Sequence, residues 1–173
     1  MTNYQSQEVK DNSPIPFRIG YGYDVHQLAV GEEFWLGGIL VPHEKGAVGH
    51  SDADVLLHVI CDALLGACNQ RDIGFHFPDT DPKYKGVDSK LLLKDTVAIV
   101  RKCGYEIGNI DVTVCLERPK IKPIIPQMQE VIAAVMEVAL DQVSIKATTT
   151  EKLGFVGTED GVSAHCVALV YKA

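Results

Sequence analysis

Apolar and polar residues alternate through Arg18-Ile19-Gly20-Tyr21-Gly22-Tyr23-Asp24-Val25-His26, and that period of two predicts a strand from Phe17 to His26. Ile19, Tyr21, Tyr23 and Val25 fall on one face, and Gly20, Gly22, Asp24 and His26 on the other. From Ser51 to Cys68 the pattern changes. Val55, Leu56, Leu57, Val59, Ile60, Ala63, Leu64, Leu65 and Ala67 cover nearly the whole circumference of a helix, which predicts a buried one. Further helices are expected over Ser89 to Cys103 and Ile124 to Leu140, with Pro123 and Pro126 before or in the first turn of the latter, where a missing N–H is harmless. Strands are expected over Phe34 to Val41, Ile107 to Glu117, Val143 to Thr148 and Ser163 to Tyr171, several rich in β-branched residues. Helices interrupt the strands, so the fold class is α/β (α+β): one compact domain with a sheet covered by helices.

The polar exceptions in these patterns carry the chemistry. Asp24 and His26 point the same way, and the glycines beside them leave room for another backbone or a ligand. Alone, such a pair is equally a solvated Asp and His. In the first helix Asp54, His58 and Asp62 recur at i, i+4, i+8 and form one stripe. His58 is there either a core histidine satisfied by a neighbouring carboxylate or a metal ligand with a carboxylate one turn away. Asp24, His26 and His58 together make a three-ligand nitrogen and oxygen set with one open position, which suits Zn²⁺ acting on an anionic oxygen. Ser51 or Asp52 would cap the helix, and the free N–H groups there favour a phosphate.

Composition narrows the class. With 173 residues, 46% of them hydrophobic, the chain can bury one core, and residues 17–173 read as a single domain preceded by a polar, disordered extension over residues 1–16. No run is long enough for a membrane span, and the leader has the features of neither a signal nor a transit peptide. A formal charge of −7 argues against a nucleic-acid partner. A nucleotide could still meet the basic cluster Arg118-Pro119-Lys120-Ile121-Lys122. Cys61, Cys68, Cys103, Cys115 and Cys166 are odd in number and without a C-x-x-C pair, so they read as core residues in a reducing compartment.

Two more segments look chemical. Thr148-Thr149-Thr150-Glu151 combines hydroxyls for phosphate oxygens with a carboxylate for a hard divalent cation, although Thr-x-x-Glu is equally a capping box. Asp72 to Pro82 is a long loop, apolar and acidic by turns, suited to closing over a polyol.

The ordered series Gly22-Tyr23-Asp24-Val25-His26, Leu36-Gly37-Gly38, His50 to His58, Asp62 to Ala67, Asp72-Ile73-Gly74, Phe77 to Pro82, Gly108 to Thr113, Pro123 to Met128 and Lys146 to Phe155 resembles the 2-C-methyl-D-erythritol 2,4-cyclodiphosphate synthase family from about Phe17 onward. The resemblance implies a phosphorus-oxygen lyase of the non-mevalonate isoprenoid pathway. Its substrate would be 4-diphosphocytidyl-2-C-methyl-D-erythritol 2-phosphate, whose 2-phosphate attacks the β-phosphorus and expels CMP. By motif, Asp24, His26 and His58 would hold Zn²⁺, and Glu151 would hold Mg²⁺ or Mn²⁺ bridging the α- and β-phosphates. His50 and Thr149 would stabilise the transition state.

The resemblance further assigns the diphosphate to Thr148, Thr149 and Thr150, and the methylerythritol phosphate to Ser51, Asp72, Ile73, Gly74, Phe77, Pro78, Asp79, Thr80 and Asp81, beside Asp24, Val25, His26 and His50. Leu116, Glu117, Arg118, Pro119, Lys120, Ile121, Lys122 and Ala147 would take the cytidine, and Phe155 and Thr158 would complete the set. It implies a homotrimer with active sites between subunits and sheets facing inward, and a bacterial cytoplasmic or, in a plant or alga, plastid setting. Many members carry arginine where Thr158 stands, and threonine cannot supply that charge. Isoprenoid diphosphate capture in the central channel is therefore doubtful, or relies on a group such as His165. Two other readings use the same residues: a zinc-dependent phosphohydrolase, and a trimer that only binds isoprenoid diphosphates.

Overall fold

The computed structural model describes residues 16–173. The expected disordered extension over residues 1–16 thus lies, save for Pro16, outside the described residues. The elements in chain order are β1 (Phe17–Val30), β2 (Trp35–Leu36), β3 (Ile39–Leu40), β4 (Lys45–Val48), α1 (Val55–Ala67), α2 (Ile73–His76), α3 (Ser89–Lys102), β5 (Tyr105–Cys115), α4 (Ile125–Met136), β6 (Val143–Thr148), α5 (Gly154–Gly157) and β7 (Gly161–Lys172). Five strands form one mixed sheet in the order β4-β1-β7-β5-β6. β1 runs antiparallel to β4 and β7, β7 antiparallel to β5, and β5 parallel to β6. The parallel step requires a crossover, and α4 supplies it.

The core lies between one face of this sheet and α1, α3 and α4, around Leu56, Ile60, Leu64, Leu93, Ile110, Val112, Met128 and Ile132. The placement of α1 follows from the glycines of β1. A Cβ on Gly20 would stand 1.8 Å from the carbonyl oxygen of Ala63, and one on Gly22 would stand 2.2 Å from that of Val59. Helix backbone therefore rests directly on strand backbone, a spacing that any side chain would forbid. The alternation in β1 is realised, but with the apolar set outward: Ile19, Tyr21, Tyr23 and Val25 are exposed on the face away from the helices, together with Phe17, Val167 and Tyr171.

Several expected boundaries move. The run Phe34 to Val41 is two two-residue strands of a tight hairpin, because Gly37 and Gly38 adopt positive φ and turn the chain. β4 was not expected, its Gly46 and Ala47 offering little strand signal. α1 begins at Val55 and not at Ser51, since its cap is Asp54, whose carboxylate accepts from the N–H groups of Leu56 and Leu57. α4 stops at Met136 because Glu137 takes the left-handed conformation. Pro123 and Pro126 stand in the turn before α4 and in its first turn, as expected. Among the described residues, no helix is long and apolar enough to cross a membrane.

Candidate metal centre and active site

Three side chains from two elements converge where α1 crosses β1. Asp24 Oδ2 lies 3.1 Å from His58 Nδ1 and 3.3 Å from His26 Nε2, and the two imidazole nitrogens are 3.1 Å apart. Asp24 and His26 share a face because the strand period is two. His58 reaches them because Gly20 and Gly22 let α1 approach. Burial works against the Asp24 carboxylate, yet its hydrogen bonds with His26 and His58 outweigh burial and hold its pKa well below the usual carboxylate range. Burial likewise opposes a charged His58, and the hydrogen bond and charge of Asp24 reverse the outcome and raise its pKa. The three side chains could hold a metal ion between them, and two imidazoles with one carboxylate are a donor set of the kind that suits Zn²⁺.

On its other edge His58 Nε2 stands 3.0 Å from Ser51 Oγ and 3.0 Å from Ser89 Oγ. The remaining carboxylates of the α1 stripe do not orient His58. Asp54 is fully buried and also accepts from the N–H groups of Gly37 and Gly38 at 2.9 and 2.6 Å, so it ties the hairpin turn to the helix start. Asp62 accepts from the N–H of Ile73 at 2.8 Å and anchors α2, while burial raises its pKa.

A cleft of about 350 Å³ opens beside the triad, lined by His26, His50, Ser51, His58, Ile73, Gly74, Phe77, Asp79, Tyr84, Val87 and Leu92. Asp72 caps α2, whose Ile73 and Gly74 line this cleft, by accepting from the N–H of Phe75. Pro78, Thr80 and Asp81 continue the same loop, and Asp81 caps the following turn. Val25 reaches the site by backbone alone: its side chain is on the opposite face and its N–H donates to Asp24 Oδ1 at 2.7 Å. Tyr84, Val87 and Leu92 were missed by sequence reasoning; their aromatic and aliphatic types give no signal distinct from core.

A second cleft of about 170 Å³ lies at the ends of β5 and β6, lined by Leu116, Pro119, Lys120, Ile121, Lys122, Ala147, Thr148 and Thr149. Arg118 points outward and pairs with Glu159 at 3.7 Å. Glu117 carries one buried carboxylate oxygen without a hydrogen-bond partner. Three strand steps separate β1, which carries Asp24 and His26, from β6, which ends at Thr148, so the two clefts are distinct within one chain. Thr149 Oγ1 donates to Glu151 Oε1 at 3.3 Å, and Thr150 Oγ1 to the carbonyl of Leu153. No capping box forms here, since α5 starts after Leu153 without a side-chain cap. Glu151 is exposed, and both it and Lys152 hold positive φ, a tight turn that projects the carboxylate from the strand end.

A third, shallow cavity sits on the outward face of the sheet, with Tyr21, Tyr23, Thr150, Phe155 and His165 in its wall. His165 Nδ1 is 2.8 Å from the hydroxyl of Tyr21. Thr158 donates to Asp160 Oδ2 at 2.5 Å and adds no positive charge.

The model of the YgbB family matches residues 17–171. The 2-C-methyl-D-erythritol 2,4-cyclodiphosphate synthase of Bacteroides fragilis is 63% identical over 156 residues, covering 90% of this chain and 98% of its own length. Among solved structures, the CDP complex of IspF from Plasmodium falciparum is similar with a TM-score of 0.80 and 32% identity, covering 90% of this chain and 96% of that one. The bifunctional IspDF from Campylobacter jejuni reaches a TM-score of 0.88 at 38% identity, covering 91% of this chain, which spans 42% of that larger protein. With residues 17–171 matched by the family model and a relative 63% identical over 98% of its own length, the chain belongs to the YgbB family.

Proposed function

We propose that this chain converts 4-diphosphocytidyl-2-C-methyl-D-erythritol 2-phosphate to 2-C-methyl-D-erythritol 2,4-cyclodiphosphate and CMP. The observation that carries this reading is the triad Asp24, His26 and His58 at the mouth of a polyol-sized cleft, in a chain 63% identical to a named synthase. An oxygen of the 2-phosphate attacks the β-phosphorus, and the bond from that phosphorus to the oxygen of the α-phosphate breaks. CMP leaves with the electron pair. The nucleophile is already anionic, so no strong base is needed, and positioning with charge neutralisation accounts for most of the catalysis. Zn²⁺ held by Asp24, His26 and His58, and Mg²⁺ or Mn²⁺ held through Glu151, would supply that neutralisation to the phosphate oxygens.

The chain's own groups do the rest. Ile73, Gly74, Phe77 and Asp79 enclose the methylerythritol, with His50 and Ser51 donating to its phosphate. The cleft formed by Leu116, Pro119 to Lys122 and Ala147 takes the cytidine, and the hydroxyls of Thr148 and Thr149 meet the diphosphate. Their separation from the triad within one chain supports a site completed between copies. The exposed face of Phe17, Ile19, Tyr21, Tyr23 and Val25 supports the same homotrimer, its apolar residues being covered when three sheets face inward. No positive charge enters that face at Thr158, which supports the view that this trimer does not retain isoprenoid diphosphates there. Bacterial relatives support a cytoplasmic setting.

The test is ³¹P NMR of the purified protein with the cytidyl substrate, Mg²⁺ and Zn²⁺, with Glu151→Ala as control. CMP together with a cyclic diphosphate is expected from the native chain and not from the variant. Linear phosphates would identify a hydrolase, and unchanged substrate a binding protein.

A further inference from the structure

Asp52 and Ser89 stand behind His58 and touch neither cleft residue set directly as ligands. The Asp52 carboxylate accepts from the backbone N–H of Ser89 at 2.9 Å and from its hydroxyl at 2.5 Å. A third contact to Asp52 comes from the N–H of Asp54 at 3.2 Å. Ser89 is fully buried as the first residue of α3, and its Oγ is 3.0 Å from His58 Nε2.

A carboxylate only accepts, so the single hydroxyl proton of Ser89 is committed to Asp52. Ser89 Oγ can then only accept from its remaining neighbour. The proton between Ser89 and His58 therefore belongs to the imidazole, on Nε2. Were Nε2 bare, the hydroxyl would have to turn to it and leave its oxygen 2.5 Å from Asp52 Oδ1 with no proton between them in a buried place. Ser51 Oγ, 3.0 Å from the same Nε2, accepts from the N–H of Ala53 at 3.1 Å and can also accept the imidazole proton; were its hydroxyl to donate to a bare Nε2 instead, the lone pairs of Nε2 and Ser89 Oγ would face each other at 3.0 Å.

We propose that Asp52 and Ser89 are positioning residues that hold a proton on Nε2 of His58, so that Nδ1 is the nitrogen left to meet a metal ion beside Asp24 and His26. This rests on the reading of Asp24, His26 and His58 as a metal site. It also assigns a purpose to the docking of α3 on the start of α1: the Asp52 N–H donates to the carbonyl of Val87 at 3.1 Å, two residues before Ser89, and holds both partners in register. Groups that fix a ligating imidazole this way typically contribute about 10-fold to 100-fold in metal affinity.

The experiment uses the full chain with ¹⁵N-labelled histidine, native and as Ser89→Ala, loaded with Zn²⁺ and then stripped by a competing chelator. In the Zn²⁺-loaded native protein, His58 should show a protonated Nε2 and a proton-free Nδ1 in long-range ¹H–¹⁵N correlation spectra, and after stripping Nε2 should remain protonated. Ser89→Ala should weaken Zn²⁺ binding by about 10-fold to 100-fold and lower the Nε2 proton occupancy in the metal-free form, with the thermal melt and oligomeric state unchanged. Should Ser89→Ala not fold, Asp52→Asn carries the same two readouts. Zn²⁺ affinity within about twofold of native, with the Nε2 proton retained, would overturn the proposal. Failure of the metal reading itself would look different, because the native chain would then bind no stoichiometric Zn²⁺.

Discussion

Asp54 concentrates several jobs in one carboxylate. Its two oxygens accept four backbone N–H groups, from Leu56, Leu57, Gly37 and Gly38, with no exposure to water. Asp54→Ala leaves those donors unpaired and should lower stability by about 3 kcal/mol, read as a shift of the urea midpoint with the slope unchanged. At the same scale the thiols of Cys61 and Cys68 are inert for a physical reason. Burial pushes Cys61 up to about 12 and Cys68 to about 11, so neither forms appreciable thiolate near neutrality. Mass spectrometry after iodoacetamide treatment of the native protein at about pH 8 should find both unlabelled, and labelled once denaturant is added.

Between elements, the contact that matters most is the bare crossing of β1 and α1. Gly22→Ala would place a methyl 2.2 Å from the Val59 carbonyl, so the helix must lift and carry His58 away from Asp24 and His26. The expected outcome is a loss of about 3 kcal/mol in thermal or denaturant unfolding together with weaker Zn²⁺ binding, whereas Gly31→Ala, with nothing near its Cβ, should leave Zn²⁺ binding unchanged. A second inter-element contact sets a pH dependence. The Lys146 ammonium beside Asp111, joining β6 to β5 at 2.5 Å, lowers the Asp111 pKa against a smaller opposing effect of burial. A carboxyl whose folded pKa is depressed contributes stability above its unfolded pKa and loses it as the pH falls through the folded value. Because both partners are largely exposed, the contribution is about 0.5 kcal/mol after solvent screening. Asp111→Asn should therefore lower stability slightly at neutral pH and leave it unchanged in acid, as followed by denaturant midpoints across that range.

For the whole molecule, the decisive feature is a sheet with one face buried under helices and the other apolar and open. The proposed trimer, closed over that face, would cover the exposed tyrosines and bring the two clefts of neighbouring copies together. Tyr23→Glu puts a charge into the proposed contact and should yield monomers by light scattering. Since each site would draw residues from two copies, synthase activity should fall at least 100-fold while each monomer keeps its Zn²⁺ site.

The sequence by itself determined the strand that carries Asp24 and His26, because period-two alternation decides which side chains share a face whatever surrounds them. It also determined the buried helix bearing His58, through an apolar run no solvent-facing helix would have, and the chain of motifs that identifies the family. Only the tertiary structure decided what the other polar residues of that helix do. Asp54 and Asp62 share the His58 stripe in sequence, yet they bond to the hairpin turn and to α2, segments remote along the chain whose arrival no local pattern announces. The same holds for Ser89, an unremarked helix-start serine until α3 docks it against His58. Glycine spacing in β1 hinted at a close approach, but that α1 would be the approaching backbone depended on how the whole core packs.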